Sequence, residues 1–206
     1  MAGEHYFSAD PAVAYERHVV VFEALGQEFR LTSAAGVFSR DRLDPGTATL
    51  LAEAPLPNVS TEGVLLDLGC GYGPIATVLA AAAPRATVYA IDVNQRALEL
   101  VRENTIGKQV VAALPDEVPE AVGFTQIWSN PPIRVGKAEL HALLLRWLPR
   151  LAPDGVAWLV VGKNLGGDSL QRWLVEQGFA AERHASRKGF RVLKVQKPLS
   201  RGTAAA

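Results

Sequence analysis

The sequence predicts an α/β protein built on a doubly wound, mostly parallel sheet of seven strands, with a β-hairpin extension near its N-terminus. Two observations predict this fold. From residue 63 onward, short apolar runs of strand length alternate with segments of helical length, and strands spaced by helices form parallel sheets with right-handed crossovers. The first of these runs ends in glycines at positions 69, 71 and 73, a turn that lets main chain approach a ligand because no Cβ is in the way.

The residues before 61 form the predicted extension. A β-rich run over 18–25 and an alternating run over 28–32 flank Gly26-Gln27, which predicts a β-hairpin. Asp44-Pro45-Gly46 predicts a turn that leads into a short helix over 47–54. The predicted regions are an arm, hairpin and helix over 1–60 packed on the rest of the chain, a main domain over 61–200 and a disordered tail over 201–206.

The main domain is predicted to hold five parallel strands that an antiparallel pair extends. Pro74 suits the first turn of a helix, and Asn94 can cap the next helix with its side chain. The predicted strands cover 64–68, 87–91, 110–113, 126–129, 155–161, 180–184 and 190–195, and the predicted helices cover 74–83, 95–104, 137–151 and 168–177.

Composition limits the classes of function. The chain has 206 residues, is 49% hydrophobic and has a formal net charge of zero, which suits one globular domain and provides no overall field to attract a nucleic acid or a membrane. A single cysteine excludes a disulfide framework, and four scattered histidines indicate no metal site. The N-terminal residues do not fit a secretory signal and no apolar run is long enough to span a bilayer, so we expect a cytoplasmic protein without a metal.

The glycine turn predicts a cofactor site. Asp92 ends the second strand of the main domain about 20 residues further on, where an acid commonly accepts hydrogen bonds from ribose hydroxyls. Gly71-x-Gly73-x-x-Ala76 also satisfies a dinucleotide fingerprint, so the glycines leave NAD open. Asp67 would repel a pyrophosphate and attract a cation, which favours S-adenosylmethionine, a ligand with an ammonium and a sulfonium. A glycine turn with no ligand is the third interpretation.

A second motif, Trp128-Ser129-Asn130-Pro131-Pro132, follows the fourth strand and therefore meets the glycine turn at the same edge of the sheet. An exocyclic amine on a base is a poor nucleophile because its lone pair is delocalised into the ring. The side-chain oxygen of Asn130 and the carbonyl of Pro131 can accept hydrogen bonds from such an amine and direct it towards a methyl group. Alone, the motif could be an ordinary turn after a strand; beside the glycine turn it predicts amine methylation, with Asn130, Pro131 and Pro132 as the catalytic loop.

These motifs resemble those of the small methyltransferase domain family, the group of the 16S ribosomal RNA guanine-N2 methyltransferases and their short single-domain relatives. The glycine motif is shared by a very large superfamily, whereas the motifs at 36–39 and 130–137 are more specific. The resemblance covers nearly the whole chain and rests on His5-Tyr6-Phe7-Ser8, Gly36-Val37-Phe38-Ser39, Asp44-Pro45-Gly46, Asp67-Leu68-Gly69-Cys70-Gly71-Tyr72-Gly73, Asn130-Pro131-Pro132-Ile133-Arg134-x-Gly136-Lys137, His141 and Gly189-Phe190-Arg191-Val192-Leu193-Lys194.

The resemblance implies a Rossmann-like class I methyltransferase fold, S-adenosyl-L-methionine as methyl donor, and guanine N2 of a ribosomal or transfer RNA as acceptor. By position, the residues from Asp67 to Gly73 would hold the methionine end, Asp92 the ribose and Asn130-Pro131 the target amine. The implied cofactor-binding residues are Asp67, Gly69, Cys70, Gly71, Gly73, Asp92, Asn94, Asp116 and Asn130. Carbon-5 pyrimidine methylation would need a cysteine aimed at the base; Cys70 faces the cofactor instead, so we interpret it as a packing residue of the turn.

Residues around the same edge are expected to contact RNA. Phe38 would stack on the base, and Ile133 stands where many amino-methyltransferases have an aromatic side chain. Arg134 and Lys137 are candidates for target phosphates, and Lys163 ends the fifth strand at the same edge. Either a phosphate-binding face or a solvated edge that discourages strand pairing would explain a further basic set, Arg183, Arg187, Lys188, Arg191, Lys194, Lys197 and Arg201.

Two departures from the family leave alternatives open. Ribosomal RNA members often carry a second, N-terminal domain that this chain lacks, which leaves the identity of the RNA open. The segment over 104–111 is short, so Asp116 is a candidate for contacting the adenine and equally a solvated loop acid. The alternative functions are the same chemistry on adenine N6, a protein glutamine amide or a small molecule, and a non-catalytic module that binds RNA or cofactor.

Overall fold

The computed structural model describes residues 16–39, 41–132, 136–163 and 166–198, and these form two sheets and five α-helices. The strands are β1 (Arg17–Ala24), β2 (Gln27–Ala34), β3 (Val64–Leu68), β4 (Thr87–Ile91), β5 (Val110–Ala113), β6 (Phe124–Ser129), β7 (Leu151–Gly162), β8 (Ala180–Arg187) and β9 (Phe190–Gln196). The helices are α1 (Pro45–Glu53), α2 (Pro74–Ala82), α3 (Gln95–Asn104), α4 (Lys137–Trp147) and α5 (Gly167–Glu176).

The main sheet has seven strands in the order β5-β4-β3-β6-β7-β9-β8. Strands β3 to β7 are parallel, and β9 and β8 close the sheet as antiparallel neighbours. Strands β1 and β2 form a separate antiparallel hairpin. This arrangement confirms the predicted fold. The strand order reverses between β3 and β6, and in such sheets the crevice beyond the carboxyl ends of the strands at that point is where ligands bind.

The core has two layers because apolar side chains cover both faces of the sheet. Adjacent residues of one strand enter different layers: Leu65 packs in the layer that contains α2, α3 and the hairpin, and Leu66 packs in the layer that contains α4 and α5. This double burial explains why the central strands read as continuous apolar runs rather than as alternating ones. No helix in the described ranges is long and apolar enough to cross a membrane.

Several predicted element boundaries are wrong, and the largest differences are at the end of α4, the start of β7 (predicted at 155) and the end of β8. The helix predicted over 137–151 ends at Trp147, and β7 begins four residues later at Leu151. Pro149 explains the early end, since proline lacks an N–H and clashes with the preceding turn of a helix. Strand β8 continues to Arg187, three residues past its predicted end, because Lys188 and Gly189 both have positive φ and make the two-residue turn that lets paired strands run to their full length.

Side chains of α3 and of its N-cap residue hold the hairpin and the loop that follows it over the sheet edge. Asn104 bonds to both main-chain groups of Thr32, with its amide nitrogen also reaching the carbonyl of Tyr72. Arg96 donates to the carbonyl of Ala35 at 2.8 Å, and Asn94 donates to that of Gly36 at 2.9 Å. The loop carrying Val37 and Phe38 is thereby fixed above the ends of the parallel strands.

Candidate active site

A cleft of about 330 Å³ opens beyond the carboxyl ends of β3, β4 and β6. Its volume falls in the range of small-molecule and cofactor sites. The fold brings eight of the sixteen predicted site residues together here. Its lining consists of Val37, Phe38, Asp44, Leu68, Gly69, Gly71, Ile91, Asp92, Val93, Asn94, Ala97, Pro115, Asn130, Pro131, Pro132, Leu143, Gly162 and Phe190.

One wall of the cleft is main chain, from the turn between β3 and α2. The N–H groups of Gly69 and Cys70 both bond to the carbonyl of Ile91, at 2.9 and 3.0 Å, which fixes the turn against the end of β4. Gly69 and Gly71 have φ of 75° and 55°, values that L side chains rarely adopt. A Cβ on Gly69 would come within 3.9 Å of Pro132 across the cleft. The wall is therefore bare backbone facing the open volume, as the sequence predicts.

Asp92 lies at the end of β4 beside this turn. Its two carboxylate oxygens accept hydrogen bonds from the N–H groups of Gly71 at 2.9 Å and Asn94 at 3.0 Å. Burial raises the pKa of the Asp92 carboxyl, and the hydrogen bonds from these N–H groups partly offset that rise. Since an ionised carboxylate has about four acceptor positions, Asp92 keeps free lone pairs for a ligand that donates hydrogen bonds, such as a ribose.

Asp67 lies under the turn, fully buried. One of its oxygens accepts a hydrogen bond from the N–H of Ala76 in the first turn of α2, at 2.8 Å. The other oxygen, Oδ1, has no partner among the described residues. Burial raises the pKa of Asp67 to about 8. Asp67 lies beneath the glycine wall and is absent from the lining of the cleft, so its attraction for a cationic ligand stays a prediction.

A narrow branch of the cleft runs between the turn and α1. Tyr72 is 2% exposed and lines this branch, and its hydroxyl has no hydrogen-bond partner among the described residues. Burial raises the pKa of Tyr72, with Asp44 adding to the effect. Cys70 lines the same branch, and burial raises the pKa of its thiol well above the usual value. A protonated thiol is a weak nucleophile, which agrees with the interpretation of Cys70 as a packing residue.

The opposite wall is built from side chains around Asn130, directly after β6. The hydroxyl of Ser129 donates to the carbonyl of Leu68 at 2.7 Å and ties the ends of β6 and β3 together. The amide nitrogen of Asn130 donates to Asp44 Oδ1 at 2.7 Å and to Thr47 Oγ1 at 3.0 Å. Both amide hydrogens are thereby used, and Asn130 Oδ1 accepts no hydrogen bond from any residue in the described ranges.

Sequence reasoning missed the residues that hold Asn130. Asp44-Pro45-Gly46 was read as a turn, whereas Asp44 is the N-cap of α1 and lies in the cleft. A Cβ on Gly46 would lie 2.9 Å from Asp44 Oδ1 and 3.3 Å from Asn130 Oδ1, so a glycine is needed here. An Asp-Pro pair ahead of a helical run is an N-cap pattern, and this was the available signal.

Several predicted site residues lie away from the cleft or outside the described ranges. Gly73 is the N-cap of α2 with a φ of 87°, and a Cβ there would meet Val101 at 3.0 Å, so both its backbone conformation and its packing against α3 require glycine. Asp116 is exposed and pairs with Arg146 at 2.7 Å. Lys137 and Lys163 are exposed and do not line the cleft. Ile133 and Arg134 lie outside the described residues, as does Arg201 of the basic set.

Three of the six described members of the basic set pair with acids. Arg187 bonds to Glu53 at 2.8 Å, Lys194 to Glu182 at 3.4 Å, and Arg191 to Asp168. β8, which carries Arg183 and Arg187, is the edge strand of the main sheet. The geometry therefore favours the interpretation of a charged edge that discourages strand pairing.

Known proteins agree with this architecture. Residues 28–194 match the model of the methyltransferase small domain family. The chain belongs to this family. The predicted family and the methyltransferase class are thereby confirmed.

Relatives of this methyltransferase small domain differ in length. The chain is 36% identical over 200 residues to the uncharacterized protein YbxB of Bacillus subtilis, covering 94% of this chain and 98% of YbxB. It is 37% identical over 130 residues to the ribosomal RNA small subunit methyltransferase C of Aeromonas hydrophila, covering 62% of this chain and 36% of that protein. It is 34% identical over 146 residues to the ribosomal RNA large subunit methyltransferase G of Streptomyces avermitilis, covering 66% and 38%.

A solved structure shares the fold. The T. thermophilus 16S rRNA N2 G1207 methyltransferase (RsmC), in complex with AdoMet and guanosine, superposes with a TM-score of 0.72 and 23% identity, over 92% of this chain and 52% of that one. The chain thus spans nearly all of YbxB but about half or less of the RNA methyltransferases that it matches.

Proposed function

We propose that this methyltransferase transfers a methyl group from S-adenosylmethionine to the exocyclic amine of a base in RNA, with guanine N2 as the target. The observation that carries the proposal is the orientation of the Asn130 side chain. Its amide nitrogen donates hydrogen bonds to Asp44 and Thr47, so its oxygen remains available at the cleft as a hydrogen-bond acceptor. An acceptor fixed at that point is what an NH2 substrate requires.

The residues present fit S-adenosylmethionine, the methyl donor of this family. The cleft has the necessary volume and a bare glycine wall, and Asp92 has free lone pairs for ribose hydroxyls. The hydroxyl of Tyr72, which has no hydrogen-bond partner among the described residues, lies in the narrow branch of the cleft. Buried polar groups are normally paired, so this hydroxyl marks a place for a polar ligand group. When bound, the cofactor supplies an electrophilic methyl group on a positively charged sulfur.

The chain's own residues act on the acceptor amine. Asn130 Oδ1 and the Pro131 carbonyl accept its two N–H bonds, which draws the nitrogen out of conjugation and frees its lone pair to form the new N–C bond. As that bond formed, the bond between the methyl carbon and the sulfonium would break and leave a neutral thioether, and the amine would give one proton to solvent water, so that the product nitrogen is neutral. Pro131 and Pro132 have fixed φ and carry no N–H, so the loop offers acceptors without a competing donor.

The choice of RNA and of guanine rests on relatives. Two proteins of at least 34% identity over 130 residues or more are named ribosomal RNA methyltransferases. The structural neighbour is named for N2 of a guanosine in 16S rRNA and was solved with guanosine. Because this chain spans only part of each of those proteins, their activity is transferred here as a proposal.

The test is methyl transfer to purified RNA. RNA from a strain that lacks this protein is incubated with the enzyme and tritiated S-adenosylmethionine, and the modified nucleoside is identified by mass spectrometry. N2-methylguanosine is the expected product. N6-methyladenosine, or labelling of protein or free nucleosides in parallel incubations, would redirect the proposal to another amine, and cofactor binding without turnover on any acceptor would overturn it.

Asn130→Ala tests the assignment of the catalytic side chain. We expect transfer to fall at least 100-fold, since removal of one preorganised hydrogen-bonding group at a reacting centre costs about 100-fold to 1,000-fold in rate. Cofactor affinity, measured by calorimetry, should stay within about threefold of wild type, because the glycine wall and Asp92 are untouched. Equal losses of transfer and of cofactor binding would contradict Asn130 as the acceptor for the amine.

A further inference from the structure

The orientation of the Asn130 amide is determined by its neighbours. A carboxylate can only accept hydrogen bonds, so the group that lies 2.7 Å from Asp44 Oδ1 must be the amide nitrogen. The same nitrogen donates its second hydrogen to Thr47 Oγ1 at 3.0 Å. A flipped amide would place its oxygen against the carboxylate and its NH2 towards the cleft, where it would repel an amine substrate.

Asp44 is itself held in place. Its Oδ1 caps α1 by accepting hydrogen bonds from the N–H groups of Gly46 at 2.7 Å and Thr47 at 3.0 Å. Thr47 is 4% exposed and lies in the first turn of the same helix. The two acceptors for Asn130 therefore belong to one rigid element, and that element is 83 to 86 residues away from Asn130 along the chain.

The charge of Asp44 also affects the acceptor. Hydrogen bonds to an ionised group are shorter and stronger than neutral ones. When an amide donates to an anion, electron density moves towards its oxygen, and chained hydrogen bonds strengthen one another in this way. Asn130 Oδ1 thereby becomes a better acceptor for the substrate amine than an isolated amide oxygen would be.

We propose that Asp44 and Thr47 are positioning residues that fix the Asn130 amide with its oxygen towards the substrate, and so restrict the site to groups that donate N–H bonds. This inference rests on the proposed function, in which Asn130 accepts from the target amine. It predicts that the site distinguishes between two groups of the same base. An exocyclic amine can donate N–H hydrogen bonds to Asn130 Oδ1, whereas a ring carbonyl at the same place would meet another oxygen and be repelled.

Thr47→Val is the decisive variant, because valine keeps the shape and removes only the oxygen. We expect kcat for methyl transfer to fall about tenfold, with the dissociation constant of S-adenosylmethionine within about twofold of wild type. Thr47→Ser, which restores the acceptor, should recover most of the lost kcat. Thr49→Val is the matched control: Thr49 is 3% exposed on the same helix, and its hydroxyl bonds to the carbonyl of Pro45 rather than to Asn130, so kcat should stay near wild type.

A second readout does not depend on activity. The side-chain NH2 resonances of Asn130, assigned by their loss in Asn130→Ala, should shift in Thr47→Val and stay in place in Thr49→Val. Unchanged Asn130 resonances and an unchanged kcat in Thr47→Val would overturn the inference, as would equal losses of kcat in the two valine variants. Failure of the proposed function would look different, since wild-type enzyme would then transfer no methyl group to RNA while the resonances still report the amide orientation.

The variant Asp44→Asn separates the effect of the negative charge of Asp44 from its role as the N-cap of α1. Asparagine caps helices as well as aspartate does, so α1 should keep its stability and the enzyme should stay folded. Loss of the charge should still lower kcat about threefold to tenfold with little change in cofactor affinity. A variant with wild-type kcat would show that the carboxylate charge does nothing for Asn130.

Discussion

The two walls of the cleft are built in different ways. The cofactor wall, at Gly69 to Gly71 with Asp92, consists of main-chain groups and one carboxylate from two adjacent strands. The transfer wall consists of side chains, Asn130 with Asp44 and Thr47, from elements more than 80 residues apart. A wall of backbone is fixed as soon as β3 and β4 pair. A wall of side chains reaches its final arrangement only when α1 has packed on the folded sheet.

Because the walls are built differently, substitutions in one wall should have different effects from substitutions in the other. Changes in the cofactor wall should alter affinity for the methyl donor and the stability of the domain, because the same backbone serves both. Changes in the transfer wall should alter kcat with little effect on affinity, because in the proposed function Asn130 contacts the acceptor amine and Asp44 and Thr47 position Asn130. The same backbone can therefore serve different acceptors when the side chains at the second wall change.

Asp92→Ala is expected to give the largest effect on the cofactor wall. The substitution removes the acceptor offered to the ribose and leaves the N–H of Gly71 without its partner. Loss of a hydrogen bond to a charged group is worth about 1.5–3 kcal/mol, so the dissociation constant of S-adenosylmethionine should rise about 10-fold to 150-fold. Calorimetric titration measures this change.

Two further titrations sharpen the result for Asp92. Asp154→Ala, at an exposed position near the opposite end of β7, should bind like wild type. Asp116→Ala examines the sequence-based adenine contact, and from its exposed pair with Arg146 we expect an affinity within about twofold of wild type. An unchanged affinity in Asp92→Ala would remove Asp92 from the cofactor site.

The contrast between the walls also explains what the sequence could predict. The strand that ends at Leu68, the glycine turn and the acid at 92 are specified by neighbouring residues, since apolar runs, positive φ and strand ends are local properties. The position of Asn130 followed from strand order, because carboxyl ends of parallel strands meet at one edge. The residues themselves favoured S-adenosylmethionine and an amine acceptor, and the family resemblance narrowed that acceptor to guanine N2 of RNA.

Contacts between distant segments left little trace in the sequence. Asp44 resembles any N-cap, and nothing in its neighbourhood reveals a hydrogen bond to residue 130. The burial of Asp67 was likewise invisible, because its charged side chain follows an apolar run without indicating which way it points. The early end of α4 was readable from Pro149, and the error came from following the apolar periodicity past it.

Asp67→Asn tests the buried carboxyl beneath the cofactor wall through the pH dependence of stability. Its pKa is about 8 in the folded protein, against 3.8 as a free side chain, so between these values the folded state binds more protons than the unfolded state. The contribution of Asp67 to stability must then fall as pH rises from about 4 to about 8, by at most about 1.4 kcal/mol per pH unit. Asparagine keeps an oxygen for the N–H of Ala76 and does not titrate, so the variant should lose this slope.

Urea unfolding of both proteins between pH 5 and pH 8 measures the difference in slope. Parallel curves for wild type and Asp67→Asn would mean that Asp67 is ionised in the folded protein at neutral pH. Added S-adenosylmethionine should reduce the slope of the wild type if the ammonium of the ligand pairs with the carboxylate.

Tyr72→Phe is expected to give the smallest effect, with opposite signs for folding and binding. The buried hydroxyl has no partner among the described residues, and removal of an unsatisfied polar group should raise the free energy of unfolding by about 1 kcal/mol. If the narrow branch receives the methionine end of the cofactor, loss of the hydroxyl should weaken binding about threefold to tenfold, the worth of one neutral hydrogen bond. Tyr89→Phe, on β4 in the opposite core layer, should leave cofactor affinity unchanged. A more stable Tyr72→Phe variant with wild-type affinity would show that the cofactor wall binds through main chain and Asp92, without help from this branch.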